Sequence, residues 1–340
     1  MEIQTSPIGE VVFGSTVGAS HIKENKPCQD AVSVKEGTYR GKPYLICSTA
    51  DGHGDPKYKY SDVGAVMANL AAEKTMTHLL FVLRELSEGR GDAFSSYLKE
   101  FLKNEWKENI RQLWRVFRLD EELAKKHGST ILSVLIYDGF AYMAQLGDGD
   151  ICYLDKDNNP VFLLEPDAGP VSFETESLCS KDASECWNFA CIPAKDIRFL
   201  MMSTDGLINS LASNDQYVKF ALSVRDYLKK FRPFEINSVL PEWLSEYSHS
   251  GCEDDISLVA INLESEKNKT GDEDETEVGS ARAGSSKKVS GRRSGGNFYC
   301  QTRRKAFRAK GVQRVKRYPR SEKYYLLSGR RRHSLRKLCG

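Results

Sequence analysis

Hydrophobic residues follow strand and helix periodicities from about residue 10 to Leu263. Short segments rich in Val, Ile, Leu and aromatic residues predict nine strands, at 11–17, 31–34, 44–49, 130–137, 141–146, 151–154, 161–164, 197–203 and 256–263. Hydrophobic residues at three- and four-residue spacings predict four helices, at 63–83, 94–117, 217–228 and 236–247. The two longest helices follow one another between early strands, and strands and helices do not alternate regularly. This order favours an α+β fold, which we expect to be a layered α-β-β-α sandwich of two antiparallel β-sheets flanked by helices.

The pattern stops after residue 264, and the composition changes there. Residues 265–297 are dominated by Gly, Ser and charged side chains, which bury too little apolar surface to offset the entropy of folding, so we predict a flexible polar linker. Aromatic residues return in 298–340 among many Arg and Lys, which predicts a basic tail that is largely disordered. A single domain is therefore expected over residues 1–264, near the upper size for one hydrophobic core.

The charge is divided between the two ends of the chain. The whole sequence has 49 basic and 47 acidic side chains, but residues 265–340 carry a net +15 and residues 1–264 a net −13. Basic segments with interleaved aromatic residues can bind nucleic acid, anionic lipid, an acidic partner or the acidic domain of the same chain. All four remain open, and the last would make the tail autoinhibitory.

Several classes of protein are disfavoured. No segment approaches the roughly 18 consecutive apolar residues of a membrane helix, and the first residues lack the pattern of a signal peptide. The nine cysteines form no C-x-x-C pair and no zinc-like spacing, so we interpret them as reduced thiols and expect a cytoplasmic protein.

Aspartates follow or precede five of the predicted strands: Asp30, Asp51, Asp148, Asp205 and Asp254. Each one alone is ordinary turn chemistry, because Asp-Gly pairs are common in turns. If they converge, their like charges require a positive counter-charge. Oxygen ligands without cysteine favour Mg²⁺ or Mn²⁺ over zinc or copper.

Six short motifs occur in a particular order: Gln29-Asp30, Asp51-Gly52-His53-Gly54, Gly128-Ser129-Thr130, Gly147-Asp148-Gly149-Asp150, Ser203-Thr204-Asp205-Gly206 and Asp254-Asp255-Ile256-Ser257. In this order they resemble the metal-dependent serine/threonine protein phosphatases, also called type 2C or PPM, over about residues 10–263. Residues 27–31 and 174–178 are more similar to a bacterial branch of that family than to the animal enzymes.

The resemblance implies a role for each motif. Asp51 would bridge two Mn²⁺ or Mg²⁺ ions, and Asp30, Asp205, Asp254 and the backbone carbonyl of Gly52 would complete their ligands. Asp148 matches the position of a third, weaker metal. Water activated by the two metals would attack phosphorus without a covalent intermediate, and His53 would be the general acid that protonates the leaving oxygen.

Two of the departures from the family pattern concern the phosphate and the last metal ligand. Residues 21–26 contain no arginine where the animal enzymes grip the phosphate, so Lys23, Lys26 or His21 is expected in that role, although lysine lacks the bidentate fork. The alternative is that these are solvated loop charges. The final pair is Asp254-Asp255 instead of Asp-Asn, and the order of the motif favours Asp254 as the ligand.

The resemblance implies hydrolysis of phosphoserine and phosphothreonine in phosphoproteins. One alternative is a catalytically weak pseudophosphatase that binds phosphoproteins, which the missing arginine favours and the complete set of aspartates opposes. Another is a nucleic-acid-associated protein located by its basic tail.

Overall fold

Two antiparallel β-sheets pack face to face in the computed structural model, which describes residues 7–83, 90–164, 176–180, 186–264 and 323–328. The first sheet contains, in spatial order, β1 (Glu10–Thr16), β10 (Ile256–Asn262), β9 (Ile197–Ser203), β6 (Asp150–Asp155) and β7 (Pro160–Phe162). The second contains β11 (Lys323–Ser328), β2 (Asp30–Tyr39), β3 (Lys42–Asp51), β4 (Ile131–Tyr137), β5 (Phe140–Leu146) and β8 (Asn188–Pro193). Buried side chains such as Val34 and Cys47 from one sheet and Met202 and Val259 from the other fill the space between them.

Helices cover the outer face of each sheet. They are α1 (Ala19–Glu24), α2 (Ser61–Val82), α3 (Arg90–Leu113), α4 (Glu121–Lys125), α5 (Asp205–Asn209), α6 (Asn214–Leu228) and α7 (Pro233–Ser250), with a 3₁₀ turn at Ala194–Asp196. Trp106 of α3 and Leu79 of α2 share a core with the second sheet, while Tyr217 of α6 and Leu240 of α7 share one with the first. The predicted α-β-β-α sandwich is therefore confirmed.

All nine predicted strands and all four predicted helices are present, with ends that differ by a few residues. The sequence did not predict β8, β11 or the short helices α1, α4 and α5. The predicted linker lies outside the described residues, as does the tail except for β11, which pairs antiparallel with β2 from Lys323 opposite Glu36 to Ser328 opposite Ala31.

None of the described helices combines the length and the apolar character that crossing a membrane requires. The seven cysteines among the described residues are all free thiols.

Candidate functional site

The predicted aspartates lie at one edge of the sandwich, where strands of both sheets end. Asp30 opens β2 and Asp51 closes β3, and the two residues are direct cross-strand partners. Asp205 follows β9 in the other sheet. The Oγ1 of Thr204 donates a 2.7 Å hydrogen bond to Oδ2 of Asp30, which ties the two sheets together at this edge.

Three carboxylates form a compact cluster. Ligand atoms of Asp51, Asp148 and Asp205 all lie within 4.8 Å of one another, with Asp51 and Asp205 half-buried and Asp148 exposed. Asp30 is buried beneath them, and Asp254 lies close enough to add to their repulsion. The structure thus brings all five predicted aspartates into one neighbourhood.

Burial and mutual repulsion make these carboxyls hard to ionise. Burial, followed by the charges of neighbouring aspartates, raises the pKa of both Asp30 and Asp51 well above its usual range. Burial and the charges of Asp148 and Asp254 raise the pKa of Asp205 to about 7. Burial is also the main cause of the raised pKa of Asp254. A divalent cation would relieve this repulsion, so the group has the electrostatics and the oxygen donors of a Mg²⁺ or Mn²⁺ site.

Two glycines allow the acidic turns to approach each other. A Cβ on Gly206 would lie 2.0 Å from the carbonyl oxygen of Asp255, and a Cβ on Gly52 would lie 2.4 Å from that of Ser61. The amide of Gly52 donates to the carbonyl of Gln29, next to Asp30, at 3.0 Å. The Asp-Gly sequence at these two positions is therefore needed for packing of the backbone as well as for turn formation.

The adjacent aspartates 254 and 255 have different environments. Asp255 is 3% exposed, and its carboxylate accepts hydrogen bonds from the Gly18 amide (2.6 Å), the Gln29 amide (2.5 Å) and Nδ1 of His21 (3.0 Å). These three donors hold Asp255 in the protein interior. The charge of Asp255 and, to a smaller extent, that of Asp254 act on Asp30, and the charge of Asp254 also acts on Asp205. Ligand atoms of Asp254 also lie within 4.8 Å of those of His21 and Asp255, so Asp254 as the metal ligand stays a prediction. The hydrogen bonds of Asp255 give it a structural role that sequence reasoning missed.

His53 lies beside the cluster in a tight enclosure. Its amide donates to the carbonyl of Gly128 at 3.3 Å, and its ring centroid is 4.6 Å from that of Tyr58. Burial lowers the pKa of His53, and the nearby charge of Asp148 partly opposes that shift. Its Nε2 is buried and has no hydrogen-bond partner among the described residues, so the hydrogen-bonding capacity of this atom is unused.

Each predicted phosphate-binding residue is paired with a carboxylate of the protein. His21 pairs with Asp255, Lys23 with Glu253 at 2.6 Å and Lys26 with Glu24 at 2.6 Å. Lys23 and Lys26 are exposed, whereas His21 is buried. Any of the three would have to exchange its carboxylate for phosphate, and their role stays a prediction.

Thr204 is a further residue that sequence reasoning missed. Besides donating to Asp30, its Oγ1 accepts a 2.8 Å hydrogen bond from the amide of Ser257. Gln29, the residue before Asp30, similarly donates through Nε2 to Oγ of Ser61 at 2.6 Å. Both lie inside the motifs quoted above, so adjacency to an aspartate was the available signal.

Comparison with known proteins gives a consistent result. The sequence model described as protein phosphatase 2C matches residues 17–245, more than half of the chain. Serine/threonine-protein phosphatase 3 of Escherichia coli (strain K12) is 23% identical over 274 residues, covering 76% of this chain and 95% of the relative.

Solved structures share the fold at low identity. The serine-threonine phosphatase 2C from Toxoplasma gondii has a TM-score of 0.51 and 14% identity, covering 77% of this chain and 96% of that one. A C. elegans sex determining protein has a TM-score of 0.50 and 16% identity, covering 79% and 67% respectively. Both similarities agree with the α+β sandwich described above.

Proposed function

The chain belongs to the protein phosphatase 2C family of metal-dependent serine/threonine phosphatases, and we propose that the carboxylate cluster around Asp51 is its active site. Its substrates are phosphoproteins, from which it removes phosphate on serine and threonine. The observation that carries this assignment is the convergence of Asp51, Asp148 and Asp205 within 4.8 Å. These residues are widely separated in sequence, so turn formation alone does not explain why they meet.

The residues that would hold two Mn²⁺ or Mg²⁺ ions are Asp51, Asp30, Asp205, Asp254 and the carbonyl of Gly52, and Asp148 would hold a third ion. All are oxygen donors, which suits hard divalent cations. The raised pKa values of Asp51 and Asp205 support the assignment, because these carboxylates favour a positive partner. When bound, the metal supplies a water that is ionised near neutral pH and neutralises charge on the phosphoryl oxygens.

The protein's own residues position the reaction. In the proposal, Nε2 of His53 gives its proton to the serine or threonine oxygen as that oxygen leaves. An unprotonated alkoxide is a poor leaving group, so this proton transfer accelerates the reaction by about 10²–10⁴-fold. Thr204 fixes the orientation of Asp30 through its 2.7 Å hydrogen bond, and Asp255 fixes the backbone at Gln29 beside it.

Positive charge for the phosphate is proposed to come from Lys23, Lys26 or His21, near the start of β2 and the Asp254–Asp255 turn. Of these, Lys23 is bound to the exposed Glu253, immediately before Asp254. An exposed ion pair contributes little stability and exchanges readily, which supports Lys23 as the group that moves to an incoming phosphate.

We also propose a cytoplasmic location, which the free thiols among the described cysteines support. The basic tail is proposed to bind the acidic domain, an acidic partner or nucleic acid. The pairing of β11 with β2 supports the first of these, because β11 belongs to the tail and β2 to the domain.

Hydrolysis of p-nitrophenyl phosphate and of a phosphothreonine peptide tests the assignment. With Mn²⁺ the protein is expected to hydrolyse both, to lose the activity with chelator, and to lose at least about 10²-fold in the Asp51→Asn and Asp205→Asn variants. Asp138→Asn is the matched control, because Asp138 is an exposed aspartate in the β4–β5 turn, paired with Lys42. Activity that is insensitive to chelator would contradict the proposal.

A further inference from the structure

Aromatic side chains extend from His53 across the adjacent surface. The ring of Tyr58 lies 4.6 Å from that of His53, and the ring of Tyr60 lies 5.1 Å from that of Trp114, at the end of α3. Phe117 follows three residues later and is 99% exposed. We call Tyr58, Tyr60, Trp114 and Phe117 the aromatic row.

One dipeptide, His127-Gly128, contacts both ring pairs. Tyr58 and His53 pack against Gly128, where an added Cβ would be 2.6 Å from Cδ1 of Tyr58 and 2.8 Å from Cδ2 of His53. Tyr60 packs against the preceding residue, His127, with ring centroids 5.3 Å apart. Trp114 donates through Nε1 to Nε2 of the same histidine at 2.9 Å.

Hydrogen bonds hold this part of the surface in a defined position. His127 is fully buried and its Nδ1 lies 2.8 Å from the carbonyl oxygen of Leu123. The amide of Tyr60 donates to the carbonyl of Lys126 at 2.8 Å. A ligand that binds Tyr60 and Trp114 therefore meets a largely pre-formed surface, which limits the entropy lost on binding.

The outer end of the row exposes apolar surface. Trp114 is 41% exposed and Leu113 beside it 40%, in addition to Phe117. Exposed clusters of large apolar side chains are typical of binding surfaces, and a tryptophan or phenylalanine side chain contributes a large contact area. Covering these side chains would remove apolar surface from water at the end of α3.

Lysines alternate with the tyrosines along the row. The Nζ of Lys57 lies 4.9 Å from the ring centroid of Tyr58, and that of Lys59 lies 5.4 Å from the centroid of Tyr60. Lys57 is also 3.6 Å from Asp55, while Arg115 and Arg118 flank Phe117 and are exposed. The row is therefore positively charged, whereas the carboxylate cluster of the candidate active site is negatively charged.

Charge and position together identify the ligand. The basic tail is a poor occupant, because residues 280–340 carry 20 Lys and Arg and one acidic residue, and like charges repel. A phosphoprotein bound with its phosphate at the carboxylate cluster would extend its neighbouring residues across the surface around His53. Acidic and large apolar side chains in that segment would complement the row.

We propose that the aromatic row is a substrate-recognition surface that binds the residues flanking the phosphorylated serine or threonine, with a preference for acidic and large apolar side chains. This inference rests on the proposed function and specifies its substrate class. An extended peptide advances about 3.3–3.6 Å per residue, so a segment that covers the row places the preferred side chains several residues from the phosphoresidue.

Matched phosphothreonine peptides test the preference. One series carries Phe and Asp three to five residues before or after the phosphothreonine, and the other carries Ala at the same positions. With Phe and Asp on one side of the phosphothreonine, either before or after it, we expect a KM at least about tenfold lower than that of the matching Ala peptide. We expect the two kcat values to agree within about twofold, because the row contributes to binding and not to bond cleavage.

Variants then locate the preference on the row. Phe117→Ala and Lys59→Gln are each expected to raise the KM of the preferred peptide severalfold and to reduce the ratio of its kcat/KM to that of p-nitrophenyl phosphate. Phe117 is almost fully exposed, so its replacement leaves the fold intact. Phe234→Ala is the control, since Phe234 is 46% exposed at the start of α7, the end of that helix far from Asp254.

The outcomes separate the two proposals. Metal-dependent hydrolysis of p-nitrophenyl phosphate together with equal KM values for both peptide series, or unchanged KM values in Phe117→Ala and Lys59→Gln, would refute recognition by the row and leave the proposed function standing. Failure to hydrolyse any of these substrates with Mn²⁺ would refute both.

Discussion

The candidate site combines carboxylates that cluster, such as Asp51 and Asp205, with a buried one, Asp255, that accepts hydrogen bonds from two amides and from His21. Asp51 and Asp205 stand out in the sequence because each precedes a glycine at the end of a strand. Asp255 does not, because its three hydrogen bonds come from residues about 230 positions away in sequence. No local pattern could distinguish its role from that of Asp254.

Replacing His53 tests the proposed proton donor at this scale. His53→Ala is expected to lower kcat on a phosphothreonine peptide by about 10²–10⁴, because an alkoxide leaves poorly without a proton. The loss on p-nitrophenyl phosphate should be much smaller, since nitrophenolate leaves without protonation. His249→Ala, at the exposed end of α7, should match wild type. Equal losses of His53→Ala on both substrates would contradict the role.

The raised pKa of Asp205 predicts a dependence of stability on pH in the metal-free protein. Its pKa is near 3.9 when unfolded and about 7 when folded, so between these values the folded state binds more protons and stability falls as pH rises. Asp205→Asn cannot ionise. With both proteins in chelator, we therefore expect the melting temperature of Asp205→Asn minus that of wild type to increase as the pH is raised from about 4 to about 7. A difference that does not change with pH would contradict the shift.

Elements were predicted best where hydrophobic periodicity was long. The strand β2 runs from Asp30 to Tyr39, but only 31–34 was predicted, because polar residues follow Val34. Lys35 is nevertheless buried, with its Nζ 3.4 Å from Glu73 of α2. The six-residue helix α1 has too few residues to show a period, and its place is fixed by hydrogen bonds such as that from the Ala19 amide to Ser248.

The contact between the β9–α5 and α7–β10 turns is the element-scale feature on which the site depends. Gly206→Ala would place a Cβ 2.0 Å from the carbonyl oxygen of Asp255 and push the turn of Asp205 away from that of Asp254. We expect Mn²⁺ affinity to fall by about tenfold or more, equivalent to about 1.4 kcal/mol. Titration calorimetry measures it, and unchanged affinity would show that the two turns need not be in contact.

At the scale of the whole molecule, the order of elements predicted the fold class. It did not predict the strand β11. Its residues lie in a segment whose charge pattern predicts disorder, and pairing with an edge strand depends on backbone hydrogen bonds that composition does not report. The register places Ser328 opposite Ala31, next to Asp30, and three arginines, Arg330 to Arg332, follow in the sequence.

This register predicts that the tail restrains activity. Deleting residues 265–340 should raise turnover of a phosphopeptide severalfold at about 20 mM salt, and the effect should shrink at about 0.5 M because salt screens the attraction. Replacing Arg330, Arg331 and Arg332 by Gln should reproduce part of the increase. The same change at Arg303, Arg304 and Lys305 is the control of equal charge. Unchanged turnover after deletion would refute autoinhibition.

The central claim is that aspartates from separate strands form one divalent metal site, and Mn²⁺ binding measured by titration calorimetry tests it most directly. Wild type is expected to bind two ions per chain, and Asp51→Asn and Asp205→Asn to bind at least about tenfold more weakly or with fewer ions. Asp215→Asn, an exposed aspartate in the first turn of α6, should match wild type. Undiminished binding of both ions by Asp51→Asn and Asp205→Asn would contradict the account.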